Sequence, residues 1–270
     1  MDTTTSSLSF LHSPARWGNA GETRHHRSEK RLASTAFPRK PVRPALQRAI
    51  RAVTCRLWPA TCLTWGMDLF SVIASERRSL ADLLEDLTPD QQEAQSLCSE
   101  WTVKQVAAHL VMPMEVGMLG FMAAMLRHRG NFDVANNALA RKQAQRPFAE
   151  IVQILRDKAD HRFTPPGQGP EAPLTDVIVH GLDITTPLGL THHVPDEHLA
   201  VALDHLAEPS PKTRAASRQL NGVRLEADDI DWSHGDGPLV TAPARAILLA
   251  LAGRDAGWDQ LTGAVPHRSS

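Results

Sequence analysis

Residues 174–190, LTDVIVHGLDITTPLGL, form an apolar stretch that carries two carboxylates and one imidazole. Asp176 and His180 are four residues apart, and Asp183 follows three residues later. On an α-helix these positions lie on one face, so the three polar side chains should project from a single stripe. A carboxylate and a histidine at this spacing predict two ligands of a divalent metal, which needs a third ligand from elsewhere in the chain.

The best candidate for the third ligand is His109, which lies in the apolar stretch WTVKQVAAHL at residues 101–110. Thr102 followed by Gln105 matches the capping box that begins a helix. His109 then lies about two turns into that helix. Pro113 removes the hydrogen bond to the His109 carbonyl, which predicts a kink just beyond the histidine.

An arrangement without metal explains the same residues. A lone histidine on an apolar helix is usually a hydrogen-bonded core residue, and a buried aspartate needs a partner because a desolvated carboxylate is costly. A hydrogen bond between Asp176 and a core histidine would satisfy both side chains. The spacing alone therefore favours neither the metal site nor the structural pair.

The 270 residues are enough for one large or two small domains, and their charge is divided unevenly. Residues 1–66 contain eleven Lys and Arg against three Asp and Glu, a net charge of +8, whereas residues 67–270 have a net charge of −9. The acidic character of residues 67–270 argues against nucleic acid as a partner. Residues 1–66 show no lasting periodicity and are expected to be a disordered basic extension; a targeting segment or a start of translation at Met67 are the alternatives.

The three cysteines, Cys55, Cys62 and Cys98, form no disulfide framework for a chain of this length. A reducing, cytoplasmic compartment is the expectation. No run of about 18 apolar residues occurs, so no membrane partner is expected. Cys98 is expected to be a small packed residue rather than a nucleophile, since the sequence places no base beside it.

Apolar periodicity and turn residues predict a mostly α protein. Residues 132–145 are expected to form a weak helix or a loop. Residues 223–240 should form a short β-hairpin or meander. Helices are expected over residues 67–87, from Thr102 onward with a continuation near 114–129, over 147–163, 174–187 and 196–207, over 243–254, and in a short segment at 257–263.

Four segments resemble a known family. EWTVKQVAAHL and DVIVHGLDITTPLG are similar to two motifs of the DinB-like four-helix bundles and, more closely, of the mycothiol-dependent maleylpyruvate isomerase family. GVRLEADDIDWSHGDG and LLALAGR resemble the C-terminal domain of that family. The resemblance covers roughly residues 67–263. It implies a DinB-like four-helix bundle at residues 67–207 followed by a small α+β C-terminal domain at 208–270.

The resemblance also implies a divalent metal, with zinc as the first candidate, held by His109, Asp176 and His180. The family carries Glu where this chain has Asp176, which shortens the reach of the carboxylate by roughly an ångström. Asp183 is expected either to join the ligands or to accept a hydrogen bond from a ligating histidine. Arg254, at the end of LLALAGR, is the expected catalytic cation for a substrate carboxylate, and a helix C-terminal Arg that complements the dipole is the alternative.

The implied activity is that of a metal-dependent thiol transferase or isomerase that uses mycothiol on a small electrophile such as maleylpyruvate. Three protein ligands leave one metal position open, which is typical of a catalytic zinc site. The main alternative is a non-catalytic bundle that binds a metal or a small ligand. A fully structural role for the histidines is the third possibility.

Overall fold

The computed structural model describes residues 68–208 and 219–267, and the predicted basic extension at residues 1–66 lies outside these ranges. The first five described helices are α1 (Leu69–Glu85), α2 (Pro89–Glu93), α3 (Val103–Glu115), α4 (Gly117–Arg127) and α5 (Phe132–Gln143). The next are α6 (Phe148–Asp157), α7 (Glu171–Thr185), α8 (Asp196–Ala207), α9 (Ala244–Leu251) and α10 (Asp255–Trp258). The described strands are β1 (Arg224–Ala227), β2 (Ser233–His234), β3 (Leu239–Ala242) and β4 (Thr262–Gly263).

Four of these helices form the predicted bundle. α1 packs against α6 and α7, and α3 packs against the same two helices from the other side. The core between them is aliphatic, with Leu80, Leu84, Ile151, Leu155 and Ile178 almost completely buried. The fold is thus mostly α, as the sequence predicts, with a small sheet near the C-terminus.

The start of α3 confirms the capping-box prediction. The Thr102 hydroxyl accepts a hydrogen bond from the Gln105 amide, and the Gln105 side chain accepts one from the Thr102 amide. Both groups satisfy amides that the first helical turn leaves without partners. This fixes the helix start, and with it the position of His109 along the helix.

Pro113, which led us to expect a kink just beyond His109, lies inside α3. α3 continues through Pro113 to Glu115, and the 120° bend lies between α3 and α4. Gly117 has a φ of +62° at this break, a backbone conformation that favours glycine. Proline removes one hydrogen bond without ending the helix here, whereas the left-handed residue redirects the chain.

Residues 132–143 form a regular helix, α5, which the sequence leaves open between helix and loop. Asn131 begins it, because its side-chain oxygen accepts a hydrogen bond from the Val134 amide at 3.1 Å. α5 then packs against α3. Among the described residues, no single helix is long and apolar enough to cross a membrane; α3 and α4 meet that criterion only as a bent pair, by length and composition.

The C-terminal sheet contains the expected hairpin, formed by β1 and the antiparallel β2, and extends it by a parallel pairing of β1 with β3. Its strand order is β2-β1-β3-β4, with β1 antiparallel to β2 but parallel to β3. The predicted helix at residues 257–263 is only partly correct, because α10 ends at Trp258 and Thr262–Gly263 pairs with β3. Trp232 joins the sheet to α8 by donating its indole N–H to Asp204 at 2.8 Å.

The buried side chain of His192 lies against α7, beside Gly181. The His192 ring occupies the space next to Gly181, where an added Cβ would lie 2.8 Å from two ring atoms. Both His192 nitrogens lack a hydrogen-bond partner within the described ranges. The nearest carboxylate is Glu76, whose Oε2 is 3.9 Å from His192 Nε2 and whose Oε1 lies 2.6 Å from Nδ1 of His198.

This histidine should make folding stability depend on pH. Burial, with a smaller contribution from the charge of Arg245, lowers the pKa of His192 from 6.5 to about 4. Between pH 6.5 and 4, His192 is protonated in the unfolded chain but stays neutral in the folded chain. The contribution of His192 to folding stability is therefore fully present above pH 6.5 and is lost as the pH falls toward 4. The full loss is roughly 3 kcal/mol.

Urea unfolding of the protein and of His192→Gln at several pH values tests this. We expect a less steep loss of unfolding free energy in the variant between pH 6.5 and 4, even where the variant is less stable at neutral pH. Equal slopes in the two proteins would show that His192 is not the group responsible.

Candidate metal centre

The three side chains predicted as metal ligands come together between α3 and α7. His109 lies on α3, and Asp176 and His180 lie on α7, one helical turn apart. His109 Nε2 is 3.6 Å from Asp176 Oδ1, and His180 Nε2 is 3.5 Å from the same oxygen. One potential ligand atom from each of the three lies within 4.8 Å of the others.

These distances fit a small divalent cation. Ligand atoms held about 2.0–2.1 Å from a tetrahedral zinc lie about 3.4 Å from each other. The two measured nitrogen–oxygen separations are within a few tenths of an ångström of that value, and both pairs are longer than a direct hydrogen bond. The donor set, two imidazoles and one carboxylate, is also one that zinc accepts.

The three candidate ligands differ in exposure. The side chains of His109 and His180 are 12% and 6% exposed, whereas that of Asp176 is 42% exposed. Trp101 covers both imidazoles, with ring centroids 4.9 Å from His109 and 6.0 Å from His180. Asp176 therefore marks the side from which a small molecule would reach the centre.

His180 is held from its other edge by Asp183. The Asp183 Oδ2 atom is 2.9 Å from His180 Nδ1, which leaves Nε2 facing Asp176 and His109. Burial opposes protonation of His180, but the charge of Asp176 and the hydrogen bond to Asp183 outweigh it and raise the pKa of the imidazole to about 10. A carboxylate behind a histidine orients the ring and increases its basicity as a metal ligand.

Arg254 contacts this centre through Asp183. Its Nε and one Nη each donate to an Asp183 oxygen at 2.7 Å, and its other Nη donates to the Ala252 carbonyl at 2.9 Å. Burial would raise the pKa of Asp183, but the hydrogen bonds from Arg254 and His180 hold it well below its usual value. Arg254 lies at the start of α10, so this ion pair joins the C-terminal segment to α7.

Cys98 belongs to the same network, which the sequence did not reveal. Its Sγ is 3.0 Å from Asp183 Oδ2, 3.1 Å from an Arg254 Nη and 3.9 Å from His180 Nδ1. Cys98, His180 and Asp183 form a second group whose atoms lie close enough to bind a metal. The Arg254 guanidinium already occupies both Asp183 oxygens there, which disfavours a second cation.

The loop before α3 brings Cys98 to this place. The Leu97 amide donates to the Asp183 carbonyl at 3.0 Å, and the Trp101 amide donates to the Cys98 carbonyl at 3.0 Å. The only sequence signal for the network was Asp183 itself, since an aspartate on the apolar side of a helix requires a partner.

Comparison with known proteins supports the predicted family. Residues 73–164 match the family model described as the mycothiol maleylpyruvate isomerase N-terminal domain. This part of the chain is similar to that domain. The matched isomerase N-terminal domain contains His109 and ends before Asp176 and His180, so the geometry alone brings the two α7 residues into the site.

The other comparisons give more distant results. A crystal structure of the mycothiol-dependent maleylpyruvate isomerase is 15% identical over 75% of this chain and 94% of that chain, with a TM-score of 0.49. A point variant of a mycothiol-dependent maleylpyruvate isomerase is 14% identical over the same shares, with a TM-score of 0.48. No curated protein sequence matches the chain.

Proposed function

We propose that this protein binds a divalent metal, zinc in the first instance, and uses it with mycothiol to modify a small electrophile such as maleylpyruvate. The observation that carries the proposal is the convergence of His109, Asp176 and His180 at separations suited to one cation. The similarity of residues 73–164, which include His109, to the mycothiol maleylpyruvate isomerase N-terminal domain suggests mycothiol as the thiol and maleylpyruvate as the first substrate to test.

Three protein ligands leave one position open for a small molecule. Bound at these residues, a divalent metal would favour the thiolate form of a thiol in that position and thereby supply a nucleophile. The half-exposed Asp176 side chain lies at the entrance, and the buried Trp101 ring shields the two imidazoles from water.

The protein's own side chains fix the orientation of the site. Asp183 holds His180 by its Nδ1 edge, so the Nε2 edge faces the candidate centre. Arg254, expected from the sequence to bind a substrate carboxylate, has donors on all three of its nitrogens engaged with Asp183 and Ala252. We therefore assign Arg254 a positioning role, in which it keeps Asp183 ionised and in place behind His180.

Two outcomes are chemically open to an attacking thiolate. Addition to a conjugated double bond forms a carbon–sulfur bond and moves the π electrons onto the neighbouring carbonyl. Rotation about the resulting single bond, followed by expulsion of the thiolate, gives the trans isomer and regenerates the thiol. Protonation at carbon without expulsion leaves a thioether, which is the transferase outcome.

Metal analysis of purified protein, together with turnover assays on a panel of thiols and electrophiles, tests the proposal. We expect bound metal and turnover that requires both the metal and the thiol. Product that forms without net consumption of thiol indicates an isomerase, and a conjugate indicates a transferase. Metal without turnover on any pair would instead favour the non-catalytic binding bundle, and protein that takes up no metal would overturn the proposal.

Substitutions at Asp176 give a sharper test of the carboxylate ligand. Asp176→Asn keeps the shape but removes the charge, and we expect metal affinity to fall by at least about tenfold, because a neutral amide is a poor zinc ligand. Asp176→Glu should hold or raise affinity, since it restores the acid of the family and its extra methylene has room at a side chain that is 42% exposed. Metal titration of both variants gives the ranking, and unchanged affinity in Asp176→Asn would remove residue 176 from the site.

A further inference from the structure

The hairpin of α4 and α5 exposes an unusual amount of apolar surface. Five large side chains are uncovered there, Leu119 at 87%, Leu126 at 79%, Phe132 at 56%, Met122 at 50% and Val134 at 47%. We call these five the hairpin patch. Contiguous apolar surface of this kind usually marks an interaction site in a water-exposed protein.

The hairpin patch is organised by the helix geometry. Leu119, Met122 and Leu126 lie at positions i, i+3 and i+7 of α4, which places them in one stripe along the helix. The Phe121 and Phe132 rings, 5.7 Å apart, join α4 to the beginning of α5. The stripe and the apolar residues at the start of α5 therefore lie side by side around the turn.

The charge at the turn between α4 and α5 is mainly positive, although Asp133 lies between Phe132 and Val134 of the patch. Residues 116–132 contain no Asp or Glu, and Arg127, His128 and Arg129 follow one another at the turn. Arg127 and Arg129 are exposed, and neither makes an ion pair within the part of the chain that the structure describes. Residues 1–66 add a net charge of +8. A partner that is apolar beneath a negatively charged surface would match both features.

We propose that the hairpin patch docks on the surface of an anionic lipid bilayer. The α4 stripe would lie in the interface plane with its leucines among the acyl chains, while Arg127 and Arg129 contact acidic headgroups. This is binding to a surface and not a span, in agreement with the length of α4. It revises the sequence-based expectation of no membrane partner and does not depend on the metal centre.

A second copy of the chain is a less suitable occupant. An antiparallel contact between two α4 stripes would place Arg127 of each copy near the positive N-terminal end of the other helix. α4 itself contains no acidic residue to compensate that repulsion, and Glu115 just before it is already paired with Arg146 and Lys158. Anionic headgroups supply the missing negative charge.

Flotation of the full chain with phosphatidylcholine vesicles, with and without roughly 30% phosphatidylglycerol, tests the proposal. We expect binding to the anionic vesicles that weakens with added salt, and little binding to the neutral ones. The double variant Leu119→Asn/Leu126→Asn should reduce the bound fraction by at least about tenfold, because both side chains are exposed and only their membrane contact is lost.

Leu239→Asn is the control, since Leu239 is an exposed leucine on β3, outside the hairpin patch. It should leave vesicle binding unchanged. No flotation of the full chain with anionic vesicles would overturn the proposal. Equal binding by the double variant would also overturn it, because the attraction would then come from another part of the chain. A concentration-dependent dimer that the double variant dissociates, without vesicle binding, would assign the patch to a second copy instead.

Discussion

Replacing His180 by Gln should remove the metal that we propose this centre binds. Removing a residue that hydrogen-bonds to a metal ligand already lowers metal affinity by about 10–100-fold. Removing the ligand itself should therefore lower the affinity by more than about 100-fold. Gln keeps a polar side chain of similar reach at a site that is almost fully buried. Metal content after purification and competition with a chelator measure the loss, and thiol-dependent turnover should disappear with the metal.

His109→Gln should behave in the same way, although His109 lies on a different helix. His193→Gln is the matched control, because His193 is exposed and follows the α7 segment without reaching the centre. Metal that remains in His109→Gln but is lost in Cys98→Ser would place the cation among Cys98, His180 and Asp183 instead. That result would contradict the proposed ligand set while leaving His180 in the site.

The convergence of the two histidines was predictable because each signal is local. Asp176 and His180 share a helix face by spacing, and the capping box at Thr102 fixes where His109 lies on its own helix. Local sequence patterns therefore determine which face of α3 carries His109 and which face of α7 carries Asp176 and His180. The two helices bury their apolar stripes against each other, and this packing brings the faces together. His109 was selected from the other histidines because it lies in an apolar helical stretch, and the family resemblance then supported that choice.

The environment of Asp183 was not predictable in the same way. Its partner Arg254 is 71 residues distant, and at the level of sequence the arginine is explained more simply by the end of a helix. Only the packing of the C-terminal segment on α7 determines that its guanidinium reaches a buried carboxylate. The 120° bend after α3 was not predicted either, because nothing in the local sequence pattern indicates that the chain turns at Gly117.

The largest effect on stability is expected from breaking the ion pair between Asp183 and Arg254. Asp183 is fully buried and Arg254 nearly so, and their two hydrogen bonds are both 2.7 Å long. Asp183→Asn leaves the guanidinium in a site of low polarity without its counter-charge. Removing one member of such a pair costs about 3–5 kcal/mol, which corresponds to a fall in melting temperature on the order of 10 °C.

A double-mutant cycle shows whether this cost belongs to the pair. Arg254→Met alone should destabilise the protein by a similar amount, because Asp183 then keeps a buried charge. The combination Asp183→Asn/Arg254→Met should cost less than the two single losses together by about 2 kcal/mol or more, since neither charge remains unpaired. Asp204→Asn serves as the control, because Asp204 also accepts a hydrogen bond but is exposed. Additive losses in the cycle would contradict the coupling. The same variant also tests the positioning of His180, because Asp183 lies against the Nδ1 edge of that ring. We expect Asp183→Asn to weaken metal binding by about 10–100-fold, an effect that Asp204→Asn should not show.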